Sequence, residues 1–179
     1  SATERIVPSS PILMHTVVDL ARRYAILDIK EGIPAQKWTE QALLGMFGST
    51  SLVLGQPEAN GDVLFNSMIV FAPDGSVIGR HRKIAVLRVG SESWSFPGGR
   101  PTVVDIPGIG RVGLFVCADM YSKRLVGETA AQGCDLLLSA AAWAPGEHGP
   151  SGEWEWASRT TQRPVLVCNR TGRDVLDFS

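Results

Sequence analysis

The chain has 179 residues, 44% of them hydrophobic, with 17 Lys+Arg against 18 Asp+Glu. That is the length of one domain with a substantial core, and the near-zero net charge removes the electrostatic case for binding nucleic acid or an anionic membrane surface. No apolar run approaches a membrane span, no signal-like segment opens the chain, and Cys117, Cys134 and Cys168 lack CxxC spacing, so a reduced cytoplasmic protein without structural zinc is expected.

In chain order, His15 to Ala25 has helical apolar spacing, and Lys37 to Phe47 predicts a second helix closed by Gly48. Ser51 to Leu54 reads as a short strand. Gln56 to Asp62, with Pro57, Asn60 and Gly61, reads as a turn. Leu64 to Phe71 and Val77 to Leu87 are strands around the Pro73-Asp74-Gly75 turn. Thr102 to Ile106 and Val112 to Cys117 form a hairpin around Gly108-Ile109-Gly110. Ser122 to Gln132 is a helix with Ser122 as N-cap and Gly133 just past its end. Leu136 to Ala140 and Val165 to Cys168 are strands, and Glu153 to Gln162 is a helix between them. This mixture predicts a single layered α/β domain over 1–179.

Cys117 ends an apolar strand and a helix follows. A thiol at such a junction sits near helix N-terminal amides, which lower its pKa and can hold an oxyanion. The competing reading is an inert cysteine used as a small hydrophobe. Gly108-Ile109-Gly110-Arg111-Val112-Gly113 matches GxGxxG but runs into a strand, where the dinucleotide fingerprint needs a helix. Arg80-His81-Arg82-Lys83 lies in a strand, so its four side chains alternate between faces and form no single basic patch. Lys83 and His81 share a face with Ala85 and Leu87. His81 is also the one histidine placed to serve a Cys–His hydrolase, although no third group that would orient its ring is visible. His15 and His148 read as surface residues, the tryptophans as core or rim, and Asn169-Arg170-Thr171 as a chance match to a glycosylation acceptor.

Several stretches, in order, resemble the nitrilase superfamily of carbon–nitrogen hydrolases. They are Gly55-Gln-Pro-Glu58 with Gly61-Asp-Val-Leu-Phe-Asn66-Ser67 and Pro73-Asp-Gly75; Arg82-Lys83; Phe96-Pro-Gly98 with Gly110-Arg-Val-Gly113-Leu-Phe-Val-Cys117-Ala-Asp119; Gln132-Gly-Cys-Asp135-Leu-Leu with Ala142-Trp143; and Arg159 with Val165 to Gly172. The resemblance implies a four-layer αββα sandwich, with two sheets face to face and helices outside. It implies a Glu–Lys–Cys triad in which Cys117 is the nucleophile, Lys83 and the Ala118 amide form the oxyanion hole, and Glu4 is the general base. Glu4 is matched through Glu4-Arg-Ile-Val-Pro8-Ser-Ser-Pro11. Glu92 matches a second glutamate kept beside the triad, and Trp143 is expected at the substrate.

No cofactor or metal is implied. The expected partner is a small amide or N-carbamoyl substrate, and the expected assembly is a homo-oligomer. Ala118-Asp119 stands where true nitrilases carry Trp-Glu, which favours the amide or carbamoyl branch. Lys123 and Arg124 also depart from the common pattern. Relative to the family, the domain is expected to be truncated at both ends. The rival readings are a non-catalytic nitrilase-like binding protein, nitrile hydrolysis, and acyl transfer to an amine.

Overall fold

The structure is a computed structural model that describes residues 51–88, 92–143 and 150–169. Strands β1 (Leu52–Asn60), β2 (Val63–Phe71) and β3 (Val77–Arg82) form an antiparallel sheet in that order. Strands β4 (Thr102–Ile106), β5 (Gly110–Val116), β6 (Leu136–Ala141) and β7 (Val165–Asn169) form a second sheet. There β4 and β5 are an antiparallel hairpin, while β5, β6 and β7 run parallel. The parallel crossovers carry helices α1 (Lys123–Ala131) and α2 (Glu153–Thr161), as parallel neighbours require.

Two buried clusters define the layers. Met68 and Val70 of β2 pack against Val104, Ile106, Val112, Leu114 and Val116 of the second sheet. On that sheet's other side, Phe115 and Leu137 meet Met120, Val126, Trp143 and Ala157. Strand β5 is therefore covered on both faces, and its unbroken run Val112 to Val116 is the sequence signature of such a strand. Gly113 is required by this packing. A Cβ there would lie 2.6 Å from Thr129 Cγ2 of α1 and 3.1 Å from Leu137 Cδ2. That requirement accounts for the last glycine of the GxGxxG match without any nucleotide.

The described residues thus supply sheet, sheet and one helical layer of the expected sandwich. The helices predicted at His15 to Ala25 and Lys37 to Phe47 lie outside them. Ser122 caps α1 by accepting from the Leu125 amide, and Gly133 has φ +79°, both as expected.

Several boundaries differ from expectation, three of them near the site or in the first sheet. Strand β1 runs through Gln56 to Asn60, so the turn shrinks to Gly61 and Asp62, and Pro57 pairs opposite Asn66. Among the described residues β1 is an edge strand, where a missing N–H costs no ladder bond. Strand β3 stops at Arg82, short of the expected Leu87. Strand β5 stops at Val116, and Cys117–Tyr121 is a 3₁₀ turn.

The alternation along β3 separates its charges. Ser67, Arg82 and Arg80 converge on the buried Glu58, with Ser67 Oγ donating at 2.6 Å. Burial pushes the Glu58 carboxyl upward, but the hydrogen bonds from Arg82 and Ser67 and the two guanidinium charges outweigh it and hold it below the usual carboxylate range. His81 and Lys83 face the other way and are buried between the sheets' ends.

Candidate active site

Cys117 is the first residue after β5 and has φ +49°. A non-glycine residue in the left-handed region is strained by about 1 kcal/mol or more, and such strain concentrates at functional sites. The conformation turns the chain abruptly from strand into the 3₁₀ turn. The Ala142 and Ala118 backbone N–H groups face the sulfur, since both favour its thiolate form.

Lys83 lies one residue past β3 and is 2% exposed. Its backbone is pinned on both sides. The Lys83 N–H donates to the Asn66 carbonyl at 2.7 Å, and the Lys83 carbonyl accepts from the Gly98 N–H at 2.7 Å. Its ammonium donates to Glu92 Oε2 at 2.6 Å. Glu92 is itself anchored: Asn66 Nδ2 donates to Oε1 at 2.9 Å, and the Leu87 amide donates to Oε2 at 3.1 Å. The carboxylate is the counter-charge of the buried ammonium, and the two further donors fix its position.

The structure therefore brings Cys117, Lys83, Glu92 and the Ala118 amide into one cluster. Lys83 and Glu92 both act electrostatically on the Cys117 thiol, in opposite directions. Glu4 lies outside the described residues.

The expected lowering of the Cys117 pKa does not hold. Burial pushes the thiol above its ordinary value, and neither the Lys83 ammonium nor the two backbone N–H groups offset it. The turn that follows Cys117 is only five residues of 3₁₀ helix, too short to bring a substantial dipole to the sulfur. A neutral thiol needs a base before it can attack as a nucleophile.

His81 is not placed to be that base. Its Nε2 meets Asp119 Oδ2 at 3.0 Å and its Nδ1 meets Thr102 Oγ1 at 3.2 Å, so both ring nitrogens are engaged away from the sulfur. Trp143 is 4% exposed and sits between two aromatic neighbours. Its ring centroid is 4.9 Å from stacked Trp154 and 4.7 Å from tilted Tyr121. Its backbone is locked by Asn169, which donates to the Trp143 carbonyl and accepts from the Trp143 amide. Trp143 belongs to the helix-side core against which Cys117 also packs.

Sequence reasoning missed three participants: Asn66 as a donor to Glu92, the Ala142 amide at the sulfur, and Asp119. Asn66, Ala142 and Asp119 all stand inside the motif stretches quoted above, so the signal was present without its meaning. No group of three His, Cys, Asp or Glu side chains able to hold a metal occurs among the described residues, and no helix there is long and apolar enough to cross a membrane.

With this geometry in place, comparison with known proteins is informative. The family described as carbon–nitrogen hydrolase matches residues 41–178. The omega-amidase NIT2 of Mus musculus is 32% identical over 125 residues, covering 65% of this chain and 45% of that protein. A nitrilase of Pyrococcus abyssi is 31% identical over 134 residues, covering 73% of this chain and 50% of that protein. The chain thus spans about half the length of these relatives. Among solved structures, an amidase from Nesterenkonia sp. AN1 carrying acrylamide on its active-site cysteine aligns with a TM-score of 0.68 at 22% identity, over 78% of this chain and 57% of the other. A carbon–nitrogen hydrolase from Helicobacter pylori G27 aligns with a TM-score of 0.64 at 22% identity, over 75% of this chain and 51% of the other. The structural likenesses establish the nitrilase-type fold, and the family match over residues 41–178 shows that the chain belongs to the carbon–nitrogen hydrolase family.

Proposed function

We propose that the chain is a thiol-dependent hydrolase domain that cleaves a non-peptide C–N bond, an amide or N-carbamoyl group, through a thioester formed by a Glu4–Lys83–Cys117 triad. The observation that carries this reading is the left-handed Cys117 within electrostatic reach of a buried Lys83 ammonium that donates to Glu92 at 2.6 Å. A non-catalytic binding protein has no use for a strained thiol next to a buried, neutralised cation, each of which costs folding energy.

In this mechanism Glu4 takes the thiol proton as the sulfur attacks the carbonyl carbon. The carbonyl π electrons move to oxygen. The oxyanion accepts hydrogen bonds from the Lys83 ammonium and the Ala118 N–H, worth about 3 kcal/mol per donor. Collapse of the tetrahedral intermediate breaks the C–N bond, and Glu4 returns the proton to the departing amine. Water, deprotonated by Glu4, then attacks the thioester, and the acid and free thiol are released. Glu92 keeps Lys83 aimed throughout.

The amide reading is supported by the omega-amidase relatives and by a Nesterenkonia amidase structure in complex with butyramide. The nitrilase of Pyrococcus abyssi supports the alternative of nitrile hydrolysis, which would pass through a thioimidate on the same sulfur. A panel of butyramide, N-carbamoyl amino acids and butyronitrile separates these readings by which substrate is turned over. Cys117→Ser is expected to abolish turnover of all three while leaving the circular dichroism spectrum unchanged. Parent-like turnover by that variant refutes the assignment.

A further inference from the structure

Nucleophile and lysine come from different sheets. Lys83 follows β3 of the first sheet and Cys117 follows β5 of the second, and among the described residues the two sheets share no ladder of backbone hydrogen bonds. Something other than strand register must set the sulfur–ammonium spacing.

Asp119 is placed to do so. It is 0% exposed, and its carboxylate accepts four hydrogen bonds divided between the two segments. Oδ1 accepts from the amides of Ile84 at 2.9 Å and Ala85 at 2.7 Å, the two residues directly after Lys83. Oδ2 accepts from the amide of Val116 at 3.0 Å, the residue directly before Cys117, and meets His81 Nε2 at 3.0 Å. The tautomer that satisfies both ring contacts places the proton on Nε2, with Nδ1 accepting from the Thr102 hydroxyl. Thr102 opens β4, so the His81 ring is a second tie between the sheets. Every partner of the carboxylate is a donor, so both of its oxygens act as acceptors.

We propose that Asp119, oriented by His81, is the positioning residue that fixes the Cys117 sulfur against the Lys83 ammonium across the two sheets. The proposal rests on the catalytic reading above. Asn at 119 can accept on only one side. Whichever side its amide nitrogen takes, either the Ile84–Ala85 pair or the Val116–His81 pair faces a donor, and the tie is cut. A misplacement of about 1 Å at such a site costs roughly 10²-fold in rate.

The test is the pH profile of Cys117 alkylation by iodoacetamide, together with butyramide turnover, in D119N, H81L, H81Q, K83M and the double variant D119N/K83M. The alkylation midpoint of D119N is expected to move up toward that of K83M, and the double variant is expected to add nothing further, because both changes remove the same ammonium from the sulfur. For butyramide, kcat is expected to fall about 10²-fold with KM nearly unchanged. H81L is expected to follow D119N in direction, and H81Q, which keeps a donor toward Asp119, to recover the parent profile. Should D119N fail to fold, the histidine pair alone decides the matter. Additive midpoint shifts in the double variant, or an H81L profile equal to the parent's, overturn the proposal. If instead K83M itself leaves the midpoint and the turnover unchanged, it is the catalytic reading that fails.

Discussion

Replacing Lys83 with methionine tests the electrostatics of the site most sharply. Methionine keeps most of the aliphatic stem, so packing between the sheets is nearly conserved while the ammonium is lost. On the proposed mechanism one oxyanion donor disappears from the transition state, worth about 3 kcal/mol, or roughly a 150-fold fall in kcat/KM. In the ground state the Cys117 thiol loses the charge that partly offsets its burial, so its pKa rises further. For stability, breaking a buried ion pair typically costs 3–5 kcal/mol by stranding the partner, on the order of the values seen elsewhere. Here Glu92 keeps two donors, Asn66 Nδ2 and the Leu87 amide, so the expected cost is smaller, about 1–2 kcal/mol. The assays are steady-state amide hydrolysis, iodoacetamide alkylation against pH, and urea unfolding. A K83M protein with kcat/KM within about threefold of the parent and an unmoved alkylation midpoint would refute the electrostatic argument.

Three further outcomes follow from the same geometry. Because Cys117 has φ +49°, C117G is expected to be more stable to urea than C117A by about 1 kcal/mol, the reverse of the usual order; equal stabilities would mean the residue is unstrained. Burial raises the thiol pKa of both Cys117 and Cys134. The folded state therefore holds more protons than the unfolded one once pH exceeds about 8.5, and stability is expected to fall as pH rises beyond that value; the C117A/C134A variant should show a flatter alkaline limb in urea titrations. A Cβ on Gly98 would lie 2.1 Å from the Arg82 carbonyl oxygen and disturb the bond that pins Lys83, so G98A is expected to lose about 1–3 kcal/mol and most of its turnover, whereas G99A, whose Cβ meets nothing within 4 Å, should match the parent in both assays.

Much of the second sheet was legible in the chain itself. The run Val112 to Val116 is apolar on both faces because the strand is covered on both faces, and the caps Ser122 and Gly133 bracket α1 where their chemistry places them. The first sheet was read less well, for tertiary reasons. Pro57 and Asn60 look like turn residues, yet an edge position tolerates them. Ile84 to Leu87 look like a continuing strand, yet the amides of Ile84, Ala85 and Leu87 bond to the carboxylates of Asp119 and Glu92, which are distant or out of register in sequence.

The site shows the same division. Cys117 and Lys83 were visible through motif order. The direction of the thiol's pKa was not, because it depends on how much protein surrounds the sulfur, and no local pattern encodes that. Glu92 stood out only as a glutamate near the site. Its role as a fixed counter-ion required the partners Asn66 and Leu87.

The most direct measurement is intact-mass and peptide mass spectrometry of the protein quenched in acid within the first turnovers on butyramide. The account predicts a butyryl group on Cys117, absent from C117A and lost on incubation with hydroxylamine. Turnover of butyramide with the label on another residue, or turnover retained by C117A, would contradict it.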